Sequence, residues 1–492
     1  MKLRDLLAGI EPLAIAGNTT FEISSVAYDS RKVCPGALFV AMQGEKTDGN
    51  RYAADAVARG AAGVISQWPA PPDLPSTAVW IQVPHARRAL ALAAANLYGR
   101  PAEKLKLVGI TGTNGKTTTT YLMDAILRAA GHTTGLLGTI SYRTPRGELV
   151  ASNTTPESLD LQRFFADVRE TGGTHVTMEV SSHALVMDRV WGCPFTVAVF
   201  TNFTRDHLDF HKTMEDYWAA KRRLFEGTGA GAPKVGVVNT DDPASKQLLG
   251  LAGRTITYGL SNGADVLTRK FALAFSGLEF GVQTPAGRVE IRSPLVGRTN
   301  VYNILAAVAA AVGLGIDLEA IREGIARLPA VPGRFERVDE GQPFLVVVDY
   351  AHTDDALRKL LETARELPHS GRVITLFGCG GDRDRTKRPL MGEVAGALSH
   401  LVVLSSDNPR TEDPLRIIND VIVGLQKAQA KYVVEPDRER AIELALDEAR
   451  PGDILLLAGK GHETYQILRD RTIEFDDREM VRRALRRRGY GK

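Results

Sequence analysis

The residues best equipped for chemistry form one short run, Gly112-Thr113-Asn114-Gly115-Lys116-Thr117-Thr118, directly after the apolar stretch LKLVGI (105–110). Glycines let backbone N–H groups turn toward phosphate oxygens, and a helix starting behind them adds the positive end of its dipole. Lys116 has the reach for β- and γ-phosphates, and Thr117 or Thr118 offers a hydroxyl to Mg²⁺. The strict phosphate-loop pattern asks for glycine at position 110, where this chain has Ile110; the nearest glycine is Gly109. The run is a variant of that loop and predicts an ATP or GTP site. The chain has no guanine-reading N-K-x-D motif, which argues against a GTPase switch or nucleotide sensor.

Such a loop needs a parallel sheet to hold it. LKLVGI, HVTMEV (175–180), TVAVFTN (196–202) and KVGVVN (234–239) are β-branched apolar runs separated by helical patterns, the signature of βαβ units. SGLEFGVQTPAGRVEIRS (276–293) alternates around glycines and predicts antiparallel hairpins beside that sheet. Upstream, strands such as ALFVAM (37–42) alternate with Ala-rich helices such as YAADAVARGAA (52–62), with a Pro-rich loop at 68–75. Downstream of PAVPGRFERV (329–338), the runs FLVVVDY (344–350), RVITLFG (372–378), HLVVLSS (400–406), KYVVE (431–435) and DILLLAG (453–459) predict another doubly wound α/β domain. The expected fold is α/β in three domains, 1–98, 99–332 and 333–492, in line with 492 residues at about 150 per domain.

Composition excludes several classes. Hydrophobic residues at 44% and charged residues at 24% are those of a globular chain, not a disordered one. Lys and Arg number 61 against 58 Asp and Glu, so no global basic field marks a nucleic-acid binder. Three distant cysteines cannot build a disulfide framework and fit a reducing cytoplasm; Cys379 reads as a small loop residue without a nucleophilic role. The longest apolar stretch, Ile304 to Leu314, is about half of a membrane span and reads as a packed core helix. The N-terminus lacks the apolar core of a signal peptide. A soluble, cytoplasmic monomer without membrane insertion or nucleic-acid partners is the expectation. The basic C-terminal run 478–492 reads as a solvated helix with cations at its negative end.

GTNGKTTT does not stand alone. EVSSH (179–183), TNFTRDHLDFH (201–211), YWAAKRRLF (217–225), GRTNVYNILAA (297–307), PGRFE (332–336) and DYAHTDDAL (349–357) together resemble the Mur ligase superfamily, ATP-dependent amide-forming enzymes that include folylpolyglutamate synthetases. The resemblance spans most of the chain. It implies an N-terminal domain for a nucleotide-sugar substrate, a central P-loop ATPase domain with a mainly parallel sheet, and a C-terminal Rossmann-like domain that delivers an amino acid. It further implies that Glu179 and His207, which read as strand-end residues, help bind a second Mg²⁺, with Thr117 also on metal. Lys221 matches a lysine that the family carbamylates. Asn300 and Asn303 match contacts to adenine and nearby groups, and Arg334, Asp349 and His352 match ATP elements linking the second and third domains. Pattern alone reads these residues otherwise: a lone histidine is a structural hydrogen bonder, Lys221 an exposed lysine on an amphipathic helix, and the two asparagines helix caps.

Asp407-Asn408-Pro409-Arg410, after HLVVLSS, resembles the motif of the Mur ligases that add meso-diaminopimelate. That substrate differs from lysine by a second carboxylate, which an arginine can pair with bidentately; as a bare string the run is a polar Asx-Pro turn. Arg383, Gly459 and Glu463 match the remaining contacts of that group, with Glu463 suited to the distal ammonium. Tyr28, Ser30, Glu45, Lys46 and Thr47 fall where the family binds uridine diphosphate. Asn153, Thr154, Thr155, Ser181 and Arg189 fall where it meets the muramoyl-dipeptide of UDP-N-acetylmuramoyl-L-alanyl-D-glutamate. Met187 stands where many relatives have glutamine, one polar substrate contact fewer. The DNPR run and the N-terminal domain argue against the lysine-adding and folate-type members.

Overall fold

The computed structural model describes residues 1–44 and 47–491. Glu45 and Lys46, two of the residues expected at the uridine diphosphate, lie outside the described residues, as does Lys492. Three main sheets occupy successive stretches of chain. The first has the strand order Ala14–Gly17, Val79–Gln82, Gly63–Ser66, Ala37–Val40, Ser25–Ala27, with the first pair antiparallel and the others parallel. Helix Ala86–Leu97 closes one face by burying Ala86, Ala89, Leu90 and Ala93 against Leu38, Val40 and Ile65.

In the second sheet, β1 (Lys106–Thr111) leads into helix α1 (Lys116–Ala129) and lies between β2 (His175–Glu179) and β3 (Phe195–Phe200), parallel to both. Successive side chains of a strand point to opposite faces. Val108 and Ile110 therefore join a core with α1 and α3 (Arg298–Leu314), while Leu107 joins one on the other face, beneath α2 (Met214–Glu226). Burial on both faces is why these strands read as unbroken apolar runs. The predicted hairpin forms from Gly277–Thr284 and Gly287–Ser293, with Val282 opposite Val289. A second hairpin, Ser141–Thr144 with Gly147–Val150, carries no apolar run and was not expected. Ile304–Leu314 does lie in a core helix, and among the described residues no helix is long and apolar enough to cross a membrane.

The third sheet contains parallel strands β4 (Leu345–Asp349), β5 (Val373–Phe377), β6 (Leu401–Leu404) and β7 (Ile454–Ala458), in the spatial order β4-β7-β5-β6. Helices α4 (Asp354–Glu366) and α5 (Lys387–Leu398) cover one face, and α6 (Arg438–Glu448) and α7 (Asp477–Arg487) the other. A small hairpin, β8 (Tyr465–Ile467) and β9 (Thr472–Glu474), follows β7 and was not legible in the sequence. The cations ending α7 are not simply solvated: Arg486 pairs with Glu340, and Arg487 and Arg488 with Glu443. Cys379 is buried and its thiol is pushed up to about 12 by desolvation, in keeping with a non-nucleophilic role.

Helix Leu318–Ala326 packs on α1 through Gly324, where a Cβ would lie 2.5 Å from the Cα of Ile126. Gly324→Ala is expected to cost about 1–3 kcal/mol of stability and to weaken nucleotide binding by shifting α1. A urea melt and an ATP titration check both.

Candidate active site

β1 delivers the chain to the phosphate loop at its carboxyl end, where open α/β sheets place their ligands. Gly112 (φ +143°) and Gly115 (φ +86°) both have positive φ. A side chain on Gly112 would overlap Thr201 Oγ1, and one on Gly115 would overlap Asn303 Oδ1. Gly115 caps α1, whose first N–H groups have no intrahelical partner. Lys116 Nζ donates to the carbonyls of Gly112 (3.0 Å) and Thr113 (2.8 Å), staying within its own loop. Thr113 Oγ1 donates to Thr204 O (3.1 Å), Asn114 N donates to Asn202 Oδ1 (3.0 Å), and Thr117 and Thr118 are buried in the first turn of α1.

Lys221 is the sharpest departure from its sequence pattern. It lies on α2, as expected, but is 2% exposed, and its Nζ donates to Gly112 O at 2.7 Å. Desolvation, with Lys116 nearby, holds the amine well below its ordinary pKa. An amphipathic helix buries one face, and the pattern alone cannot say that this face meets the phosphate loop rather than an apolar wall. Lys116 is lowered by desolvation too, partly offset by Glu179 and Asp206.

Glu179 ends β2 in register with Ile110; its Oε1 accepts from Thr139 N (2.8 Å) and its Oε2 from Thr139 Oγ1 (3.1 Å). His207 does not end a strand: it lies beyond β3, before the short turn Leu208–His211, with φ +53°. Of the intervening residues, Thr201, Asn202 and Thr204 hydrogen-bond to the phosphate loop instead. Desolvation lowers the His207 imidazole to about 4, outweighing Asp206 at 3.3 Å. A neutral histidine is thus available beside the loop at physiological pH. Asp206, not foreseen, contributes the nearest carboxylate to this group.

Asn300 and Asn303 are not caps. Gly297 is the cap of α3, and both asparagines are buried within its first turns, Asn303 Nδ2 donating to Asn300 Oδ1 at 2.9 Å. Arg334 Nη2 donates to Thr117 Oγ1 at 3.1 Å, and its guanidinium lies over the Tyr350 ring. Asp349 accepts from Phe335 N (2.7 Å) and Ala351 N (2.8 Å), so it fixes the turn that carries Arg334. His352 Nδ1 is 2.9 Å from Tyr350 O, and desolvation lowers its pKa. Asp355, also unforeseen, is a bridge: its Oδ2 accepts from Asn114 Nδ2 (2.8 Å) and Thr204 Oγ1 (2.9 Å), joining α4 to the phosphate loop.

On the opposite side of Glu179, Thr155 Oγ1 donates to Glu179 O (2.8 Å) and accepts from Ser181 N (3.1 Å). Thr154 Oγ1 lies 3.1 Å from Thr139 Oγ1, and Asn153 is tied to Tyr142. Arg189 is already engaged by Glu157 (2.8 Å) and Thr155 O (2.9 Å), with Met187 Sδ against its guanidinium. Tyr28 OH donates to Asp160 Oδ2 at 2.6 Å, joining the turn after strand Ser25–Ala27 to helix Ser158–Glu170; Ser30 begins a 3₁₀ turn and Thr47 is exposed.

The remaining residues gather at the carboxyl ends of β5, β6 and β7. Arg410 takes φ +53°, and its Nη1 donates to Gly381 O at 2.8 Å; Arg383 lies exposed on that same Gly380–Gly381 loop. Gly381 N donates to Asn408 O at 2.9 Å, and a side chain on Gly381 would overlap Pro409 O. Gly459 (φ +111°) approaches Asp407 so closely that a Cβ would be 2.7 Å from its Oδ2. Glu463 Oε2 accepts from Asn408 Nδ2 (2.8 Å) and Lys460 Nζ (3.1 Å), and desolvation raises its pKa. Lys460 and Gln466 were not foreseen. Gln466 Nε2 donates to Asp407 O at 2.7 Å from β8, a strand too short and polar to announce itself.

Family models match in three blocks: "Mur ligase family, catalytic domain" at residues 22–98, "Mur ligase middle domain" at 110–311, and "Mur ligase, glutamate ligase domain" at 333–461. The chain belongs to the Mur ligase family. A relative from Solibacter usitatus (strain Ellin6076), named UDP-N-acetylmuramoyl-L-alanyl-D-glutamate--2,6-diaminopimelate ligase, is 58% identical over 100% of this chain and 99% of its own. A relative of the same name from Geobacillus kaustophilus (strain HTA426) is 46% identical over 99% and 100%. A solved structure carrying that name aligns with TM-score 0.69 and 33% identity over 100% of this chain and 99% of that one. MurF from Acinetobacter baumannii, at 21% identity, TM-score 0.66 and 93% and 95% coverage, shares the fold. This Mur ligase's phosphate loop depends on two glycines. Gly115→Ala, forcing alanine into a left-handed conformation at about 1–2 kcal/mol, is expected to weaken ATP binding about tenfold in calorimetry.

Proposed function

We propose that the protein joins meso-2,6-diaminopimelate to the D-glutamyl γ-carboxylate of UDP-N-acetylmuramoyl-L-alanyl-D-glutamate at the expense of ATP, as its relatives' names describe, in peptidoglycan synthesis. The observation that carries the reading is that Arg410 and Glu463, one cation and one carboxylate, sit on two loops of the third sheet joined through Asn408, whose Nδ2 donates to Glu463 while Arg410, two residues on, donates to Gly381 O. They complement the carboxylate and ammonium at the remote end of diaminopimelate, with Arg383 and Gly459 beside them. We assign residues 1–98 to the uridine nucleotide, 99–332 to ATP and 333–492 to the amino acid.

The donor set suits both ATP and Mg²⁺. Glycines 112 and 115 let the backbone pass against Thr201 and Asn303 where a Cβ would clash, and the free N–H groups of α1 suit phosphate oxygens. Among the described residues no three His, Cys, Asp or Glu side chains form a metal cluster. Mg²⁺ at nucleotide sites takes only one or two protein ligands and fills the rest with phosphate and water. Thr117 would hold one Mg²⁺ and Glu179 and His207 a second, and such ions when bound neutralise phosphate charge. Asn300 and Asn303 support the adenine end, and Arg334 and His352 close the site from the third domain.

Lys116 and Arg334 stabilise the charge of the transferring γ-phosphoryl group while the substrate carboxylate attacks it, giving an acyl phosphate and ADP. Thr155, Ser181 and Arg189 orient that carboxylate. The amine of diaminopimelate then attacks the acyl carbon, and the tetrahedral adduct collapses to the amide with loss of phosphate. Lys221, neutral more readily than an ordinary lysine, is primed for carbamylation, since only the neutral amine adds to CO₂. The carbamate would turn a cation beside Gly112 into an anion. The reading places the work in the cytoplasm, on a chain acting as a monomer.

Phosphate release from ATP, with the muramoyl-dipeptide nucleotide present, is expected to require diaminopimelate; release driven by lysine alone contradicts the specificity. Arg410→Ala is expected to raise the KM for diaminopimelate about 10- to 100-fold, the worth of a charged hydrogen bond, and to leave the KM for ATP unchanged. Lys221→Met is expected to lower kcat about 10²–10³-fold and to abolish a carbamate signal in ¹³C-bicarbonate NMR. Because the Glu463 pKa is raised, the KM for diaminopimelate is expected to climb as pH falls toward it, and Glu463→Gln to flatten that dependence.

A further inference from the structure

Arg438 and Asp477 have completely enclosed side chains, each 0% exposed. Arg438 opens α6 and Asp477 opens α7, on the face of the third sheet away from α4 and α5. The guanidinium forks onto Asp477, Nε to Oδ1 at 2.8 Å and Nη2 to Oδ2 at 2.6 Å. Its remaining capacity goes to two backbone carbonyls: Nη1 donates to Ser406 O and Nη2 to Ala458 O, both at 3.2 Å. Ser406 immediately precedes Asp407, and Ala458 immediately precedes Gly459. The strands that these residues follow, β6 and β7, are not neighbours, because β5 lies between them. One side chain therefore ties together the two loops that carry Arg410 and Glu463.

A buried ion pair seldom repays its desolvation, and apolar residues of equal volume usually serve stability as well or better. What an apolar pair cannot do is donate to two strand-end carbonyls at once. We propose that Arg438 and Asp477 are positioning residues for amino-acid selection: they set the spacing between the Arg410 and Glu463 loops, so that the site accepts a remote carboxylate–ammonium pair and rejects a lone ammonium. This rests on the diaminopimelate reading above. Asp477 orients the guanidinium, Arg438 fixes Ser406 and Ala458, and the packing of Gly459 against Asp407 carries that spacing to the recognition groups.

The full-length enzyme is assayed as Arg438→Met/Asp477→Leu, which removes the charges together, and as Arg438→Lys, which keeps the charge and loses the fork. Arg410→Ala serves as the control for the site itself. Expected for the double variant is a cooperative thermal transition and a KM for diaminopimelate raised about 10- to 100-fold, the usual consequence of an ångström-scale misplacement. Its KM for ATP stays unchanged, and its preference for diaminopimelate over lysine falls by a similar factor. Arg438→Lys is expected to recover part of that preference. A folded double variant with unaltered preference overturns the proposal, as does parallel loss of ATP and diaminopimelate binding. Should the double variant fail to fold, a folded Arg438→Lys enzyme decides: reduced preference supports the proposal and intact preference overturns it. If Arg410→Ala leaves the KM for diaminopimelate unmoved, the site reading itself fails; if only the Arg438 variants are silent, the positioning role alone fails.

Discussion

Four residues, Gly112 to Gly115, impose the constraint around which this molecule is arranged. Their backbone must stay open toward phosphate, so every neighbour has to approach from the other side, and the approaches are close. Thr201 and Asn303 occupy the space that side chains on Gly112 and Gly115 would need. Lys221 reaches the Gly112 carbonyl from α2, and Asp355 reaches Asn114 from the third sheet's first helix. The loop is thus braced by the second domain and touched by the third. A displacement of either would move the phosphate loop, so the third sheet has a direct mechanical hold on it through Asp355.

Electrostatics follow from that crowding. Lys116 and Lys221 share a desolvated space with Glu179 and Asp206 nearby, and desolvation depresses both amines. On the proposed reading Lys116 and Arg334, not Lys221, are the cations that would stabilise a transferring phosphoryl group there, more strongly than they could in water. On the proposed reading, closure of the third domain onto the loop would keep water from an acyl phosphate, an intermediate that would otherwise hydrolyse. A near-neutral chain is compatible with this, because the cations are concentrated locally.

The phosphate loop, the parallel strands and the DNPR loop could be read in the sequence because each is encoded locally, by glycine positions, β-branched runs and a short polar motif after a strand. The surroundings could not. Lys221 has the pattern of a surface lysine, and its burial depends on where α2 packs. Asp355 looks like one more acid in the first turn of a helix, until the fold brings Asn114 and Thr204 to it from far along the chain. Arg438 and Asp477 sit in charged helical segments, RERAIELALDE and DREMVRRALRR, whose polar letters conceal a fully buried pair. Gln466 and Lys460 matter through a hairpin of three-residue strands, below the length at which alternation is informative. His207 illustrates another limit: the pattern puts it at a strand end, and the fold puts it in a left-handed turn beyond β3.

The central claim is that the substrate carboxylate attacks ATP and that the resulting acyl phosphate is the species aminolysed. Isotope transfer tests this most directly. The muramoyl-dipeptide nucleotide is prepared with ¹⁸O in both oxygens of its D-glutamyl γ-carboxylate, turned over with ATP and diaminopimelate, and the released phosphate is examined by ³¹P NMR or mass spectrometry. The account predicts one ¹⁸O in inorganic phosphate for every amide formed, with the other retained in the amide carbonyl. Amide formation accompanied by phosphate without the label would contradict it.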